Sequence, residues 1–239
     1  MEIFQFKKFK VKQNSASVFK VNTEAVLLSA WVNIESKMEI LEIGSGTGVI
    51  SLGLVQRIDI SSNITTLDID KNAYALTMEN LELNQTTNIC AQHKSIQEYY
   101  QENSTKLFDL IISNPPYFNY KSKSVKPRNL LSKYTDSLDY ATLIELANKL
   151  LKSEGSIAII IPYEDMKKMN VIIQTNQLHI RRALLLSSVP HKLPLRVLLE
   201  IKKGSKKEDF LVEELLVKDQ EGQFTEEYKR LTKDYYTIF

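Results

Sequence analysis

Cysteine is nearly absent from this 239-residue chain, Cys90 being the only one. A single thiol cannot close an internal disulfide, which excludes a disulfide-held scaffold and fits a reducing compartment. Long apolar runs are missing as well. The longest, residues 157–161, is far below the roughly 18 residues of a membrane span. Residues 1–5 carry no apolar signal core, so a cytoplasmic protein is expected. Neither sign of charge dominates, since 31 Lys and Arg stand against 29 Asp and Glu. Contact with nucleic acid therefore has to rest on where the cations lie, not on their sum. The three histidines (His93, His179, His191) show no ligand-like spacing, and no metal site is expected.

What is present is an ordinary globular composition, 43% hydrophobic and 25% charged. Only seven glycines occur, and Gly44, Gly46, Gly48 and Gly53 fall close together. Around them, short β-branched runs alternate with helical patterns. Residues 38–43, 63–67, 88–91, 108–112 and 156–161 read as strands, with helices over 49–56, 71–84 and 140–152. Repeated strand–helix units imply a parallel sheet covered on both faces. Residues 178–188 and 195–202 read as two further strands whose short proline-containing connection makes them antiparallel. The expected fold is α/β, a seven-stranded Rossmann-like sheet, mostly parallel with the last pair antiparallel, followed by a C-terminal extension. We expect one domain: an N-terminal arm and helix (1–37), a core (38–203) and the extension (204–239). In the extension, 210–217 is strand-like and 225–235 helical. Residues 114–137 show no usable period, and loops of about two dozen residues are usually functional or disordered.

Leu41-Glu42-Ile43-Gly44-Ser45-Gly46-Thr47-Gly48 follows a strand and opens a helix, the place where open α/β sheets bind ligands. The spacing is G-x-G-x-G, not the G-x-G-x-x-G of dinucleotide sites. Glu42 before the first glycine would repel a pyrophosphate but can pair with an ammonium. A cationic amino-acid cofactor suits that loop better than NAD. About 20 residues on, Asp68 or Asp70 ends the next strand, where an acid can accept both hydroxyls of an adenosine ribose. Asp68 is the better ribose partner and Asp70 the better helix cap. The plain alternative is a tight turn followed by a cap.

Ser113-Asn114-Pro115-Pro116-Tyr117-Phe118 closes a buried strand in a stiff polar turn. Each proline lacks an N–H and holds its predecessor extended. The Asn114 amide oxygen and the Pro115 carbonyl can then converge as two fixed acceptors. A planar –NH2 group is the natural guest. Accepting both its hydrogens favours a tetrahedral nitrogen whose lone pair can face an electrophilic methyl, with most of the rate coming from positioning and fixed dipoles. Tyr117 can stack on a base, worth about 1–3 kcal/mol, against the few kcal/mol needed to unstack it.

In this order, the glycine loop, the ribose acid and Asn-Pro-Pro-Tyr resemble the class I S-adenosylmethionine-dependent methyltransferases that modify amino groups. Residues 4–11, 20–31, 193–199 and 224–228 extend the resemblance to one family nearly end to end, the tRNA(Val) adenine(37)-N(6) methyltransferases. That family methylates the exocyclic amine of the adenine just 3′ of the anticodon. The resemblance implies a class I methyltransferase sheet, S-adenosyl-L-methionine as cofactor and tRNA as partner. It implies that Thr23, Glu42, Gly44, Gly46, Gly48, Asp68, Ser95 and Asn114 meet the cofactor, with Ser95 standing where a third-strand aspartate often meets the adenine amine. Asn114, Pro115 and Tyr117 would then be catalytic, with Pro116, Tyr117 and Phe118 against the substrate.

Lys121, Lys123, Lys126 and Arg128 follow the catalytic turn, and Lys7, Lys8, Lys10, Lys12 and Lys20 crowd the N-terminus. Both groups can meet phosphates. The aromatic residues beside them (Phe4, Phe6, Phe9, Phe118, Tyr120) favour RNA over a merely solvated surface. Cys90, inside a strand, is expected to pack in the core. Tyr235, Tyr236 and Phe239 form an aromatic end expected to dock on the sheet, contact with substrate being the alternative. Other functions remain open: a glutamine methyltransferase acting on a release factor, an adenine methyltransferase on rRNA or DNA, or a non-catalytic nucleic-acid-binding module. A monomer is expected.

Overall fold

The structure, a computed structural model, describes residues 2–13, 20–35, 37–116, 139–204 and 210–239. Among them the elements run β1 (Glu2–Gln5), β2 (Lys10–Gln13), α1 (Thr23–Trp31), β3 (Glu39–Ile43), α2 (Val49–Val55), β4 (Asn63–Asp68), α3 (Lys71–Leu83), β5 (Ile89–His93), α4 (Ile96–Asn103) and β6 (Phe108–Ser113). There follow α5 (Tyr140–Leu150), β7 (Leu151–Pro162), α6 (Met166–Thr175), β8 (Leu178–Ser187), β9 (Arg196–Lys203), β10 (Leu211–Leu216) and α7 (Glu226–Thr232).

Eight strands form one sheet in the order β10-β8-β9-β7-β6-β3-β4-β5. Only β9 runs against its neighbours, pairing antiparallel with both β7 and β8. The sheet thus has the expected mixed character with one strand more than seven. The eighth is the strand-like segment of the extension, which pairs parallel to β8 with Leu215 opposite Leu186. Since β10 is parallel to β8, and β8 runs in the same sense as β7, the chain leaves β10 at the same edge where β3, β4 and β6 end.

Alternation along the strands divides the core. Ile40, Ile64, Leu110, Ile112 and Ile160 face α1, α2 and the chain termini, whereas Leu41, Leu67, Ile111, Ile159 and Leu199 face α4, α5 and α6. Each fully buried Ile or Leu contributes about 1.5–3 kcal/mol relative to exposure. Side-chain caps start the helices. Asn22 Oδ1 accepts from Ala25 N–H, Asp70 from Asn72 and Ala73 N–H, Asp139 from Thr142 N–H and Thr225 from Tyr228 N–H, each worth about 1 kcal/mol. Helices α4 and α6 have no counterpart in the sequence reading. Each does carry an apolar face, Ile96, Tyr99 and Tyr100 in one and Met166, Met169, Ile172 and Ile173 in the other, which that reading passed over.

Two expectations are corrected. The N-terminal arm is an antiparallel hairpin, β1 on β2, in which Phe6 and Phe9 are core and not RNA-facing, while Phe4 is half-buried. Phe6 and Phe9 are buried and stacked, ring centroids 4.3 Å apart, so neither ring face can take a base. The hairpin is docked by two amides of α3. Asn80 Oδ1 accepts from Lys12 N–H (2.7 Å) and its Nδ2 donates to Lys12 O (3.0 Å), while Asn84 makes the same pair of bonds to Lys10 at 2.8 and 2.7 Å.

Cys90 is exposed, not core. It lies on β5, the edge strand, and its neighbours Ile89 and Ala91 face the core, which turns Cys90 to the other side. The native protein is therefore expected to consume one equivalent of a thiol-specific chromogenic reagent without denaturant. Reaction only after unfolding would contradict this placement.

Candidate active site at the carboxyl edge of the sheet

The chain leaving β3 turns through three left-handed glycines, Gly44 (φ +83°), Gly46 (+56°) and Gly48 (+76°). A Cβ at Gly44 or Gly46 would meet nothing within 4 Å, so the sign of φ requires glycine there and the space over the loop is open. The loop is tied down from β4 and α3. Gly44 and Ser45 N–H donate to Leu67 O at 2.9 and 3.0 Å. Gly46 N–H donates to Asp68 Oδ2 at 2.8 Å. Thr77 Oγ1 donates to Ser45 Oγ (2.8 Å), and Asn80 Nδ2 to Thr47 O (2.9 Å). Asn80 thus holds the hairpin and the glycine loop at once.

Asp70 takes the capping role expected of it, and Asp68 bonds to the backbone of the loop and of Asp70. Asp70 caps α3, while Asp68 turns toward the loop, its Oδ1 accepting from Asp70 N–H at 2.9 Å. Burial pushes the Asp68 carboxyl up, opposed by the bonds from Gly46 and Asp70 N–H.

Glu42 lies at the root of the same loop and is fully buried. Oε2 accepts from Ser51 Oγ and from Thr66 Oγ1, the latter at 2.9 Å, but Oε1 has no hydrogen-bond partner. Burial is the larger influence and raises its pKa from 4.5 to about 7, the two hydroxyls pulling the other way. A buried carboxylate with one oxygen unsatisfied is costly.

Strand β6 runs beside β3, with Ser113 opposite Ile43, and Ser113 Oγ donates to Ile43 O at 2.8 Å. Asn114 therefore emerges next to Gly44. Its Nδ2 donates to Asn22 Oδ1 at 3.4 Å. That oxygen is identified as an acceptor because it also takes Ala25 N–H at 2.7 Å. Asn22 thus identifies Nδ2 as the donor and orients the Asn114 amide. Pro115 is buried and Pro116 exposed. Tyr117, Phe118, Lys121, Lys123, Lys126 and Arg128 lie outside the described residues.

The N-terminus of α1 completes the rim. Thr23 lines one cavity together with Tyr228 and Tyr236, so its neighbours there belong to the extension. Glu24 Oε1 pairs with Arg196 Nε at 2.7 Å, joining α1 to the start of β9. Ser95, across the sheet, caps α4 in a reciprocal box: its hydroxyl accepts from Glu98 N–H and donates to Glu98 Oε2 at 2.8 Å. Asn22, Ser51, Thr66, Thr77, Asn80 and Arg196 were not singled out from sequence. Asn22 before a helical pattern carried a cap signal, but its meeting with Asn114 depends on tertiary structure. Substituting Asn22→Ala is expected to cost about 1 kcal/mol of stability and to lower kcat with little change in cofactor affinity. Unchanged kcat in a stability-matched assay would mean that Asn114 needs no such support.

A parallel sheet with a glycine turn, an acid on the next strand and an Asn-Pro-Pro turn on the third defines a class I methyltransferase. Residues 14–179 match the methyltransferase small domain family. The fold is shared with a predicted O-methyltransferase from Agrobacterium tumefaciens at TM-score 0.68 and 16% identity, covering 89% of this chain and 96% of that one. Relatives named tRNA1(Val) (adenine(37)-N6)-methyltransferase are closer in sequence. The one from Bacteroides thetaiotaomicron is 34% identical over 98% of this chain and 96% of its own length. The one from Pseudoalteromonas translucida is 32% identical over 99% of both. The chain belongs to the tRNA1(Val) (adenine(37)-N6)-methyltransferase family.

Proposed function

We propose that this protein transfers a methyl group from S-adenosyl-L-methionine to N6 of adenine 37 in a valine tRNA. The observation that carries the proposal is the meeting of Asn114 with the glycine loop: Ser113 is bonded to Ile43 O, one residue before Gly44. When bound, S-adenosylmethionine supplies a methyl made electrophilic by a sulfonium. The chain supplies the rest. The open backbone over Gly44, Gly46 and Gly48 admits the cofactor, and the Glu42 carboxylate pairs with its ammonium. Asp68 presents its remaining acceptor capacity to the ribose hydroxyls, and the backbone around Ser95 borders the adenine. Thr23 is assigned to the methionine end of the site, next to Asn22.

Asn114 Oδ1 and the Pro115 carbonyl accept the two hydrogens of the target amine. This withdraws the nitrogen lone pair from the purine ring and aims it along the transfer direction. No strong base is required, because the proton leaves after the new C–N bond has formed. Fixed dipoles of this kind are worth about 10²–10³ in rate per donor or acceptor. Tyr117, Pro116 and Phe118 are assigned to the base, and Lys121, Lys123, Lys126 and Arg128 to the phosphates. Replacing Tyr117 by Ala is expected to damage tRNA methylation more than replacing it by Phe, since the ring face does the stacking. Equal damage would assign the hydroxyl instead.

We assign the activity to a monomer working as one domain with its arm (1–37), core (38–203) and extension (204–239). No group of three His, Cys, Asp or Glu side chains among the described residues is arranged to hold a metal ion, and no described helix is long and apolar enough to cross a membrane. We place the enzyme in the cytoplasm, where its tRNA substrate is. The test is methyl transfer by the purified protein from labelled S-adenosylmethionine, offering unmodified tRNA and a release factor separately. Label in tRNA adenine supports the proposal, and label only in the release factor refutes it.

A further inference from the structure

Beside the rim of the active site the extension encloses a cavity of about 420 Å³, lined by Phe4, Thr23, Lys218, Phe224, Tyr236 and Phe239 among others. This size is that of small-ligand sites, about 300–1,000 Å³. Its walls are rings set face and edge: Phe224 stacks on Tyr228 at 5.1 Å, and Phe239 stands edge-on to Phe224 at 5.3 Å. Cations border it. Lys218 Nζ lies 5.3 Å from the Phe224 ring centre, and Lys7 Nζ donates to Phe239 O at 2.8 Å. Thr23 connects it to the catalytic turn, lining the cavity and following Asn22, the partner of Asn114, in the chain.

We propose that this cleft is a second base-binding subsite, stacking a nucleobase that flanks the target adenine in the RNA loop. The inference rests on the function proposed above and deepens it. Three observations favour a nucleobase. The lining is rich in aromatic side chains, and contact with rings is a mode any base can use without sequence readout. The bordering lysines match the phosphates joining one nucleotide to the next. The topology brings the extension out of β10 at the edge where Asn114 and Gly44 stand. An adenine flipped toward Asn114 leaves a strained loop, and a holder for its neighbour keeps that loop open.

The experiment pairs a change in the RNA with a change in the protein. Anticodon stem-loops carrying an abasic site on either side of the target are compared with the intact RNA, using the parent protein and the Phe224→Leu variant, which keeps apolar bulk. The abasic change on one side is expected to raise KM about five- to a hundred-fold with the parent, with kcat and S-adenosylmethionine affinity unchanged. That penalty is expected to shrink in Phe224→Leu, the sign of a direct pairing. Lys218→Gln, an exposed position, is expected to weaken RNA binding and flatten its salt dependence. An independent readout is 2-aminopurine placed at the flanking position, whose fluorescence should be quenched by the parent and less so by Phe224→Leu. Quenching without methyl transfer would refute the proposed function and uphold the stack. Methyl transfer with no abasic penalty on either side and no quenching would overturn the subsite and leave the function standing.

Discussion

Replacing Asn114 by alanine is expected to remove methyl transfer, about 10²–10³-fold or more in kcat, while S-adenosylmethionine affinity stays within a few-fold of the parent. The asymmetry follows from geometry. Asn114 stands at the tip of β6 beside Gly44, and its Nδ2 is held by Asn22 Oδ1. Its amide oxygen is assigned to the target amine, which is there only when substrate is bound. The cofactor is assigned chiefly to β3, β4 and the loop between β3 and α2, none of which is held by Asn114. Kinetics with saturating tRNA, together with calorimetric titration of the cofactor, separate the two effects. A large loss of cofactor affinity with a modest loss of kcat would show that Asn114 serves the cofactor instead.

Glu42→Gln is expected to stabilise the protein and weaken its hold on the cofactor. The Glu42 carboxyl titrates at about 7 in the folded chain against an ordinary 4.5, chiefly because it is buried. Between those values the unfolded chain has released a proton that the folded chain keeps. Stability therefore falls as pH rises from 4.5 to 7, and above 7 the full cost, on the order of 3 kcal/mol, is present. Glutamine retains an oxygen for Ser51 and Thr66 but carries no charge. The variant should match the parent near pH 5 and exceed it near pH 8 in denaturant unfolding. Its S-adenosylmethionine affinity should drop at least tenfold, because the ammonium loses its counter-charge. In the parent, cofactor binding below pH 7 should release a proton, visible as a dependence of the binding heat on buffer ionisation enthalpy. Identical pH–stability curves for the two proteins would show that Glu42 is not the titrating group.

The chemistry was more legible in this sequence than the architecture around it. Glycines at alternate positions, an acid on the next strand and Asn-Pro-Pro-Tyr each answer to a local requirement: a left-handed φ, a charge at a strand tip, a backbone without N–H groups. Such requirements are printed in consecutive residues. The glycine cluster still concealed two causes, since Gly53 is not part of the loop. A Cβ there would come within 2.8 Å of Ser29 Oγ and of Tyr235 Cε1, so it marks the close approach of α1, α2 and the extension. What sequence hid was pairing at a distance. Phe6 and Phe9 between lysines looked like a nucleic-acid arm because nothing local reveals that Asn80 and Asn84 dock that hairpin. Leu211–Leu216 looked like a strand, but its place beside β8 is set by register with Leu186. Cys90 was misplaced because edge and interior strands have the same local pattern.

Nucleoside mass spectrometry of tRNA from cells with and without this protein tests the central claim most directly. The account predicts that N6-methyladenosine disappears from a valine isoacceptor at position 37, and returns on expression of the parent but not of Asn114→Ala. Methylation at that position persisting in its absence, or restored by Asn114→Ala, would contradict it.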